Sequence, residues 1–432
     1  MVGTTARRSW SLTKACGLPE RKHQDPAHRN FDRVTLALFL AALFASFGQF
    51  GAVASLNDVA RHFGHATSSG SLRNVVGLSG SMLGVGLGVL RLASLGALPL
   101  ASLADRWGRT RVLRRTMVVG LLATAMASLS PSYWFFVLCF AVARPLLSAA
   151  SALVQVITVE LSTSSRRIHR LAIMAAGAGS GAGLSAVLHG IIRGPGSFRW
   201  LFGIALVPAL FIRPLLNAVH EPSLVRDPSL AARLTTVPKA IRGHLGVVAT
   251  IAFAIGMITG PANGFAFVYG EGVLKISPHV VASVVALSAV TGLAGLLISR
   301  RLARSVGRRW TVVIGVVGSG LTSTFAYSGG RSSFVVGYLV GVGAAGVLAP
   351  AATAISTEIF SHSHRATAAG WVVVAGVLGA TTGLALFGWV GDMVHATSVT
   401  SLRVPALVTF LPLIPTVLLL RRLPESSRME LV

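Results

Sequence analysis

The chain has 432 residues, of which 53% are hydrophobic and 12% are charged, and its mean hydropathy is +0.71. These values exclude an ordinary soluble domain, in which about 25% of the residues are charged. The formal net charge of +25 does not indicate nucleic-acid binding, because the arginines form short clusters between apolar segments and not one basic face. The composition therefore predicts an integral membrane protein.

Apolar stretches of about 20 residues, the length that crosses a bilayer as a helix, recur along the whole chain. Residues 1–33 contain no such stretch, which argues against a cleaved signal peptide and predicts a solvated tail. The pattern predicts an all-α membrane protein with twelve transmembrane helices, in chain order at residues 35–57, 75–101, 112–130, 133–159, 171–192, 200–219, 245–270, 279–299, 311–328, 334–357, 367–390 and 403–420.

The distribution of positive charge predicts the orientation of these helices. Most of the 38 Lys and Arg residues fall in the tail and in the loops on the same side of the membrane as the tail. Since cytoplasmic loops carry the excess of Lys and Arg, we expect a multi-pass protein of the cytoplasmic membrane with both termini in the cytoplasm. Cys16 falls in the tail and Cys139 in a helix, which argues against a structural disulfide.

Two motifs recur along the chain at nearly the same interval. The first is "LADRWGR" at 103–109, which returns as "LARSVGR" at 302–308. The second is a glutamate followed seven residues later by an arginine, and the two pairs are Glu160 with Arg167 and Glu358 with Arg365. Two independent motifs with one period indicate an internal duplication.

The duplication divides the chain into two homologous halves of six helices each. The expected parts are a cytoplasmic tail at 1–33, a first bundle at 34–219, a cytoplasmic linker at 220–243, a second bundle at 244–422 and a cytoplasmic tail at 423–432. Two pseudo-symmetric bundles around a central cavity are a recurrent plan of membrane transporters.

Over residues 34–430 the sequence resembles the major facilitator superfamily. "LADRWGRTRVL" is similar to the signature that this superfamily carries between helices 2 and 3, except that Ala101 stands where the pattern usually opens with Gly. The two Glu and Arg pairs resemble its second recurring element. "EPSLVR" at 221–226 and "LPESSR" at 423–428 resemble the Pro-Glu-Ser endings of sugar and metabolite porters. The resemblance implies a twelve-helix transporter, nearest in pattern to the sugar and metabolite:proton symporters.

The charged residues of the signature are predicted to hold the cytoplasmic side of such a transporter closed. Gly108 permits a tight turn, after which Arg109 reaches Glu160. The resemblance puts Asp105 near the N-terminus of helix 11, where the helix dipole favours a negative charge. Exposed charge pairs are worth about 1 kcal/mol or less, so such a gate can open again. The predicted cytoplasmic gate consists of Asp105, Arg106, Gly108, Arg109, Glu160, Arg167, Gly307, Arg308, Glu358 and Arg365.

The second copy of the signature departs from this pattern. Arg300 stands where Gly is expected and Arg304 stands where a carboxylate is expected. A contact between Arg304 and the positive end of helix 5 would be repulsive. The second half of the gate is therefore expected to depend on Arg308, Glu358 and Arg365.

Two arginines fall deep within the predicted helices. At about 1.5 Å per residue, Arg91 and Arg144 lie about 21 and about 24 Å from the cytoplasmic boundary. An arginine at this depth costs roughly 2.5–3.5 kcal/mol even on the mild insertion scale, so it should face a wet cavity or a partner. We expect Arg144 to bind a substrate carboxylate, while Arg91 fits a substrate contact and a structural contact equally well. Arg213, close to the end of helix 6, is expected to extend to the interface.

Other polar side chains within the predicted helices are further candidates. The candidates for the substrate site are Gln49, Gln155, Asn263 and Tyr269. Each can equally form a hydrogen bond between helices. None of the 13 acidic residues is predicted at mid-membrane, so Asp58 and His189, near outer helix ends, are the candidates that remain for proton coupling.

The sequence thus predicts a secondary active transporter that moves a small polar organic solute, an organic anion or another metabolite, by alternating access, with protons as the expected coupling ion. No His or carboxylate cluster has the spacing of a metal or acid–base site, so we expect neither an enzyme nor a metal or cofactor. The expected partners are the solute and the lipid bilayer, with no nucleic acid, and the expected state is a monomer.

Two alternatives stay open at this point. One is a drug:proton antiporter working as an exporter, although helix 5 reads "AAGAGSGAGLS" without the Gly-Pro signature of that class. The other is a membrane sensor that kept the fold without transport, for which Arg300 and Arg304 are the only support. The missing signature and the Pro-Glu-Ser endings favour uptake.

Overall fold

The protein was analysed as a computed structural model, and the structure describes residues 26–65, 74, 76–162, 167–192, 194, 196–221, 242–358, 360, 365–394 and 402–420. All regular structure in these residues is helical. Ten of the helices are long and apolar enough to cross a membrane. A further apolar helix at Arg308–Ala326 and a broken one at Arg403–Leu419 complete the predicted set of twelve.

In chain order the twelve spans are α1 Pro26–Ala54, α2 Gly80–Trp107, α3 Arg109–Leu129, α4 Tyr133–Glu160, α5 Arg167–Ile191, α6 Ser197–Leu216, α7 Arg242–Gly264, α8 Pro278–Ser305, α9 Arg308–Ala326, α10 Arg331–Glu358, α11 Arg365–Met393 and α12 Arg403–Leu419. The prediction of an all-α fold with about twelve spanning helices is confirmed. Large apolar side chains on the outer surface, such as Leu210 and Phe211, are 66% exposed, as expected where lipid and not water is the solvent.

The first span differs from its prediction at both ends. α1 begins at Pro26, inside the stretch predicted as tail, and ends at Ala54. Proline is favourable at the first position of a helix because its missing N–H would have no helical partner there. At the other end the Ser55 hydroxyl donates to the Gly51 carbonyl at 3.0 Å, and the chain continues as the separate short helix Leu56–Phe63.

α2 starts later than predicted and is irregular near its middle. It begins at Gly80 because the Ser79 hydroxyl caps it, accepting from the Met82 N–H at 3.2 Å. The segment Ser94–Gly96 tightens into a 3-10 turn. This turn lies against α4, since a Cβ placed on Gly96 would be only 3.0 Å from the Cβ of Pro145.

α7 is shorter than the sequence predicts. It ends at Gly264, shortly after Pro261, and the chain then forms the π-helical turn Val268–Val273. A π turn contains one more residue than an α turn and often marks a functional position. This turn carries Glu271, whose side chain points back into the protein and is 4% exposed.

The two halves pack in the same way. In the first half α1 packs on α5 and α3 on α4, and in the second half α7 packs on α11 and α9 on α10. The halves meet through two helix pairs, α2 with α11 and α5 with α8. Glycines allow the backbones of α2 and α11 to touch. A Cβ on Gly84 would lie only 2.3 Å from the carbonyl oxygen of Leu384, so no larger residue fits there. The interface between the halves is therefore made of small residues, as is usual between membrane helices.

Candidate functional site

The turn between α2 and α3 has the geometry that its glycine predicts. Gly108 has φ +99°, and its repeat partner Gly307, between α8 and α9, has φ +91°. Side chains with a Cβ rarely adopt this conformation. We call the end of the protein that carries these two turns the signature end.

Arg109 is the centre of the charge cluster at the signature end. Its Nη2 lies 3.1 Å from Asp105 Oδ1, and its Nη1 is in contact with Glu160 Oε1 on α4. Asp105 lies in the last turn of α2, where the helix dipole makes a negative charge unfavourable. The positive guanidinium of Arg109 offsets this unfavourable interaction. All three residues belong to the first half, so this cluster joins α2, α3 and α4 to one another.

Two expectations about this cluster are not met. Arg167 opens α5, but among the described residues it forms no ion pair with Glu160. Asp105, 63% exposed, contacts only Arg109 in the described part of the chain. Arg106 is exposed beside it. The expected bridge from the first half to the second is therefore absent from the geometry of the described residues.

A contact that the sequence analysis did not assign involves the Pro-Glu-Ser motif. The Thr110 N–H at the start of α3 donates to Glu221 Oε1 at 3.3 Å. A Cβ placed on Gly108 would lie 3.0 Å from the Glu221 carboxyl carbon. Glu221 thus caps α3 and is favoured there by the positive end of the helix. The motif that begins at Glu221 was visible in the sequence, but its spacing does not indicate which residue Glu221 contacts.

In the second half, the departures from the signature fit their local surroundings. Arg304 is exposed in the last turn of its own helix α8, where a positive charge is favourable. Arg308 opens α9 and has an interaction partner. The side chains of Glu358 and Arg365 lie outside the described residues, so this half of the predicted gate stays a prediction.

A cavity of about 520 Å³ lies between the signature end and the middle of the membrane. We call it the central cavity. Its wall consists mostly of apolar residues of α7, α10 and α11 in the second half, among them Ile251, Ile255 and Val377. Arg91 of α2 is the residue of the first half that lines it. Volume and lining are typical of a small-molecule site.

Arg144, the other deep arginine, is not among the residues that line the central cavity. Its Nη1 donates to the Gln49 carbonyl oxygen at 2.8 Å, while its Nε is buried without a hydrogen-bond partner. The Gln49 side chain donates to Ser151 Oγ at 3.1 Å and accepts from Ser148 Oγ at 3.0 Å. Arg144 is also near enough to Arg91 for their charges to repel each other. The two deep arginines therefore lie close together, Arg91 on the wall of the central cavity and Arg144 buried beside Gln49, and no carboxylate of the described residues neutralises them.

The remaining candidates for the substrate site lie in different parts of the protein. Asn263 lines the central cavity, donating to the Thr259 carbonyl at 2.9 Å. Gln155 is exposed on α4. Tyr269 is fully buried, with its ring 4.8 Å from that of Tyr327, and it does not line the central cavity. The structure thus brings Asn263 near Arg91 but puts Tyr269 in an aromatic cluster.

At the opposite end, three ionisable side chains form one buried cluster. His189 of α5 has Nε2 2.9 Å from Glu271 Oε1 and Nδ1 3.4 Å from Asp58 Oδ2. Asn57 donates to Glu271 Oε2 at 3.2 Å, and Ser197 donates to Asp58. We call Asp58, His189 and Glu271 the triad, and this end of the protein the triad end. Glu271 comes from the second half, so the triad joins the two halves.

A second carboxylate also crosses between the halves at the triad end. Asp392 of α11 accepts from the N–H groups of Gly80 and Ser81 at 2.6 and 2.8 Å, and from the Ser81 hydroxyl at 2.6 Å. It therefore caps α2 from the other half. Sequence analysis recognised Asp58 and His189 but missed the roles of Glu271 and Asp392, because only the packing of the halves brings them to their partners.

The contacts at the two ends of the protein describe a conformation in which the ends differ. The triad end is sealed by polar contacts between the halves, while the signature end holds charge pairs within one half and a cavity next to them. Two pseudo-symmetric six-helix bundles with a cavity at their interface define a secondary transporter.

The sequence comparison agrees with the architecture. The chain matches the family model of the Major Facilitator Superfamily over residues 38–273 and 245–430. It therefore belongs to the Major Facilitator Superfamily, and it is a transporter and not an enzyme. No curated protein sequence matches the chain.

Solved transporter structures share the fold at low sequence identity. A bacterial homologue of the human lysosomal transporter Spinster, in an inward-facing and occupied conformation, has a TM-score of 0.71 at 15% identity and covers 93% of this chain and 98% of its own. The xylose transporter XylE from E. coli, inward open, has a TM-score of 0.67 at 18% identity, covering 93% and 98%. The nucleoside transporter NupG has a TM-score of 0.64 at 14% identity, covering 92% and 100%.

Proposed function

We propose that this protein takes up a small organic anion across the cytoplasmic membrane by alternating access. The observation that carries the proposal is the pair of deep arginines, Arg91 on the wall of the central cavity and Arg144 buried near it, which have no carboxylate partner among the described residues. Two unneutralised positive charges at this depth are costly. An anionic substrate would remove that cost on binding, which makes it the natural ligand of this site.

The lining of the central cavity further restricts the chemical class of the substrate. Arg91 offers a forked set of donors that suits a carboxylate, and Asn263 and Thr259 offer polar groups a few turns away. Most of the other lining residues are apolar. A carboxylate attached to a largely apolar body satisfies both parts of this wall, whereas a sugar, polar on every side, would leave its hydroxyls facing aliphatic side chains.

The orientation follows from the charge distribution. Arginines crowd the signature end, and the excess of positive charge belongs in the cytoplasm. We therefore take the signature end as cytoplasmic and the conformation as inward-facing, with the triad end closed toward the outside.

The triad supplies the proposed coupling to protons. When Asp58 is protonated and His189 is charged, the triad carries no net charge, which suits a buried site better than a net negative charge does. Opening of the triad end would expose all three groups to the outside. Proton binding from the outside would then accompany closure of that end, so the loaded transporter would turn inward with its proton.

Flux in proteoliposomes tests the function. We expect saturable uptake of a labelled carboxylate with an apolar body, stimulated by an inward proton gradient, and no saturable uptake of a neutral sugar. Loss of one charge-assisted hydrogen bond costs about 1.5–3 kcal/mol, so Arg91→Ala and Arg144→Ala should each lower uptake about 10- to 100-fold. Arg300→Ala removes an exposed arginine of α8 and is the matched control.

Three outcomes would contradict the proposal. Saturable export of lipophilic cations would favour a drug antiporter. Absence of flux for every solute, with ligand-induced stabilisation of the purified protein retained, would favour a sensor. If carboxylate uptake were unchanged in both arginine variants, the protein would still be a carboxylate transporter, but the two arginines would not form its substrate site.

A further inference from the structure

A second group of arginines lies on the outer surface of the first half, apart from the central cavity. A cleft of about 450 Å³ opens there, and we call it the arginine cleft. Its lining residues are Arg111, Arg114, Arg115, Val118, Val119 and Arg213. Arg213 comes from α6 and the others come from α3, so two helices that are distant in the chain direct their positive charges into one cleft.

The arginine cleft is rich in positive charge. Among the described residues no carboxylate is paired with any of its four arginines. Arg114 donates to Asn217 Oδ1 at 2.8 Å, which holds the guanidinium in position without adding a negative charge. The guanidinium of Arg115 lies 5.8 Å from the centre of the Trp107 ring. Four like charges in one cleft repel one another, and an anion bound between them would offset that repulsion.

The surroundings of the arginine cleft indicate where that anion comes from. Toward the middle of the membrane the cleft continues into an exposed apolar face, with Leu122 40% and Leu210 66% exposed. Trp107, at the same level as the arginines, is 51% exposed. Exposed tryptophans of membrane proteins concentrate at the level of the lipid headgroups. The cleft is therefore charged at headgroup level and apolar at acyl-chain level.

We propose that the arginine cleft binds the headgroup of an anionic phospholipid of the leaflet at the signature end, with an acyl chain along the exposed face of α3 and α6. Basic pockets between membrane helices suit such headgroups. A positive-inside bias by itself calls for arginines on this side, but it does not call for their convergence from α3 and α6 into one cleft. Bidentate donation by Arg114 and Arg213 to the phosphate oxygens would link the two helices.

The site adjoins the charge cluster of the signature end. Arg111 lies two residues after Arg109, on the helix whose first turn Glu221 caps. A lipid held there would stabilise α3 against α6 and would leave the central cavity untouched. Binding of this lipid is independent of the substrate and can be measured on the purified full-length protein.

Lipid-dependent thermal unfolding and native mass spectrometry test the proposal. Phosphatidylglycerol or cardiolipin added to delipidated protein in neutral detergent should raise the unfolding temperature and give resolved lipid adducts, whereas phosphatidylcholine should do neither. Arg114→Gln combined with Arg213→Gln should weaken the apparent affinity for the anionic lipid at least about tenfold, because two charged contacts with the headgroup are lost.

Matched variants distinguish this site from general basicity. Arg300→Gln combined with Arg301→Gln removes two exposed arginines of the second half on the same side and should leave lipid binding unchanged. The pair Arg114→Lys and Arg213→Lys keeps the charge and should restore part of the binding. If the double glutamine variant does not fold, Arg213→Gln alone is measured in its place.

The proposal is overturned by any of three results. Equal loss of binding in the Arg300 and Arg301 variants would show a non-specific charge effect. Equal stabilisation by inorganic phosphate at matched concentration would identify a free anion and not a lipid as the ligand. Unchanged adducts in the Arg114 and Arg213 variants would place the lipid elsewhere.

Discussion

The two ends of this transporter use the same kinds of charged residue in opposite ways. At the triad end, Glu271 and Asp392 of the second half contact buried or capping groups of the first. At the signature end, Arg109 pairs with Asp105 and Glu160, all within the first half, and Asp105 is 63% exposed. One end is therefore locked between the halves, while the ion pairs of the other end, among the described residues, lie within the first half.

The difference shows that burial and partner decide what a charge pair does. A pair within one half holds neighbouring helices in position whatever the state of the transporter. A pair between the halves stabilises only the state in which the halves meet. Breaking a buried pair is far more costly than breaking an exposed one, so the triad end should dominate the conformational equilibrium.

The largest expected effect is that of Glu271→Ala. Removing one member of a buried charged pair costs about 3–5 kcal/mol, and here that cost falls on the closed triad end only. The variant should open that end and raise the labelling rate of Val76→Cys, a buried residue next to Gly272, by more than about 100-fold. A membrane-impermeant maleimide, with Cys16→Ser and Cys139→Ala in the background, measures the rate.

Two variants sharpen this first prediction. Glu271→Gln keeps an acceptor for Asn57 but loses the charge beside His189, so it should open the triad end less than alanine does. Glu160→Gln changes the same kind of residue at the signature end and should not raise labelling of Val76→Cys. If Glu271→Ala left the labelling rate unchanged, the triad would not be the lock.

A smaller effect is expected from Asp392→Ala. The carboxylate caps α2 from α11 through three hydrogen bonds, and loss of a helix cap costs about 0.5–2 kcal/mol. Labelling of Val76→Cys should rise by about 10-fold. Asp392→Asn, which keeps one acceptor, is the control. A larger effect than that of Glu271→Ala would reverse the ranking of the two contacts.

The pH dependence of closure should follow Asp58, which lies beyond the first span. Burial raises the pKa of Asp58 above its ordinary value, while His189, the Ser197 hydroxyl and Arg61 oppose this and Glu271 adds to it. A carboxyl with a raised pKa in the closed form binds its proton more tightly there, so protonation favours closure. Its contribution is complete below the ordinary pKa and is lost as the pH rises through the raised value.

Labelling measures this dependence. As the pH falls from about 8 to about 4, the labelling rate of Val76→Cys should decrease, after division by the rate of the exposed Ser332→Cys, which corrects for thiol ionisation. Asp58→Asn should abolish the change. A normalised rate that rises on acidification would contradict the sign, and a dependence that survives in Asp58→Asn would assign it to another group.

The smallest effect on stability is expected from Arg109→Ala. Its partners Asp105 and Glu160 are 63% and 33% exposed, and such pairs contribute about 1 kcal/mol or less. The unfolding temperature in detergent should fall by only a few degrees. Because the cluster belongs to one half, labelling of Val76→Cys should stay within about twofold of the parent rate. Strong opening of the triad end would show coupling between the two ends.

Much of this comparison could be predicted from the sequence. Helix positions follow from runs of apolar residues, which must be long enough for the bilayer whatever their neighbours are. The turns at Gly108 and Gly307 follow from a residue that tolerates positive φ, and the Arg109 contact with Glu160 was expected from the resemblance of two repeated motifs to the superfamily. These features depend on residues near one another in the chain or on the duplication.

The tertiary structure alone decided the rest. It put Arg91, and not Arg144, on the wall of the central cavity, and it paired His189 with Glu271, which lies 82 positions further along the chain. It brought Asp392 to Gly80 across 312 positions and gathered Arg213 with the arginines of α3. Such contacts form when helices distant in the chain pack together, within one bundle or between the two, and no periodicity along a single helix specifies how they pack. Local hydrophobicity determined the spans, and packing between the halves determined which polar groups are buried together.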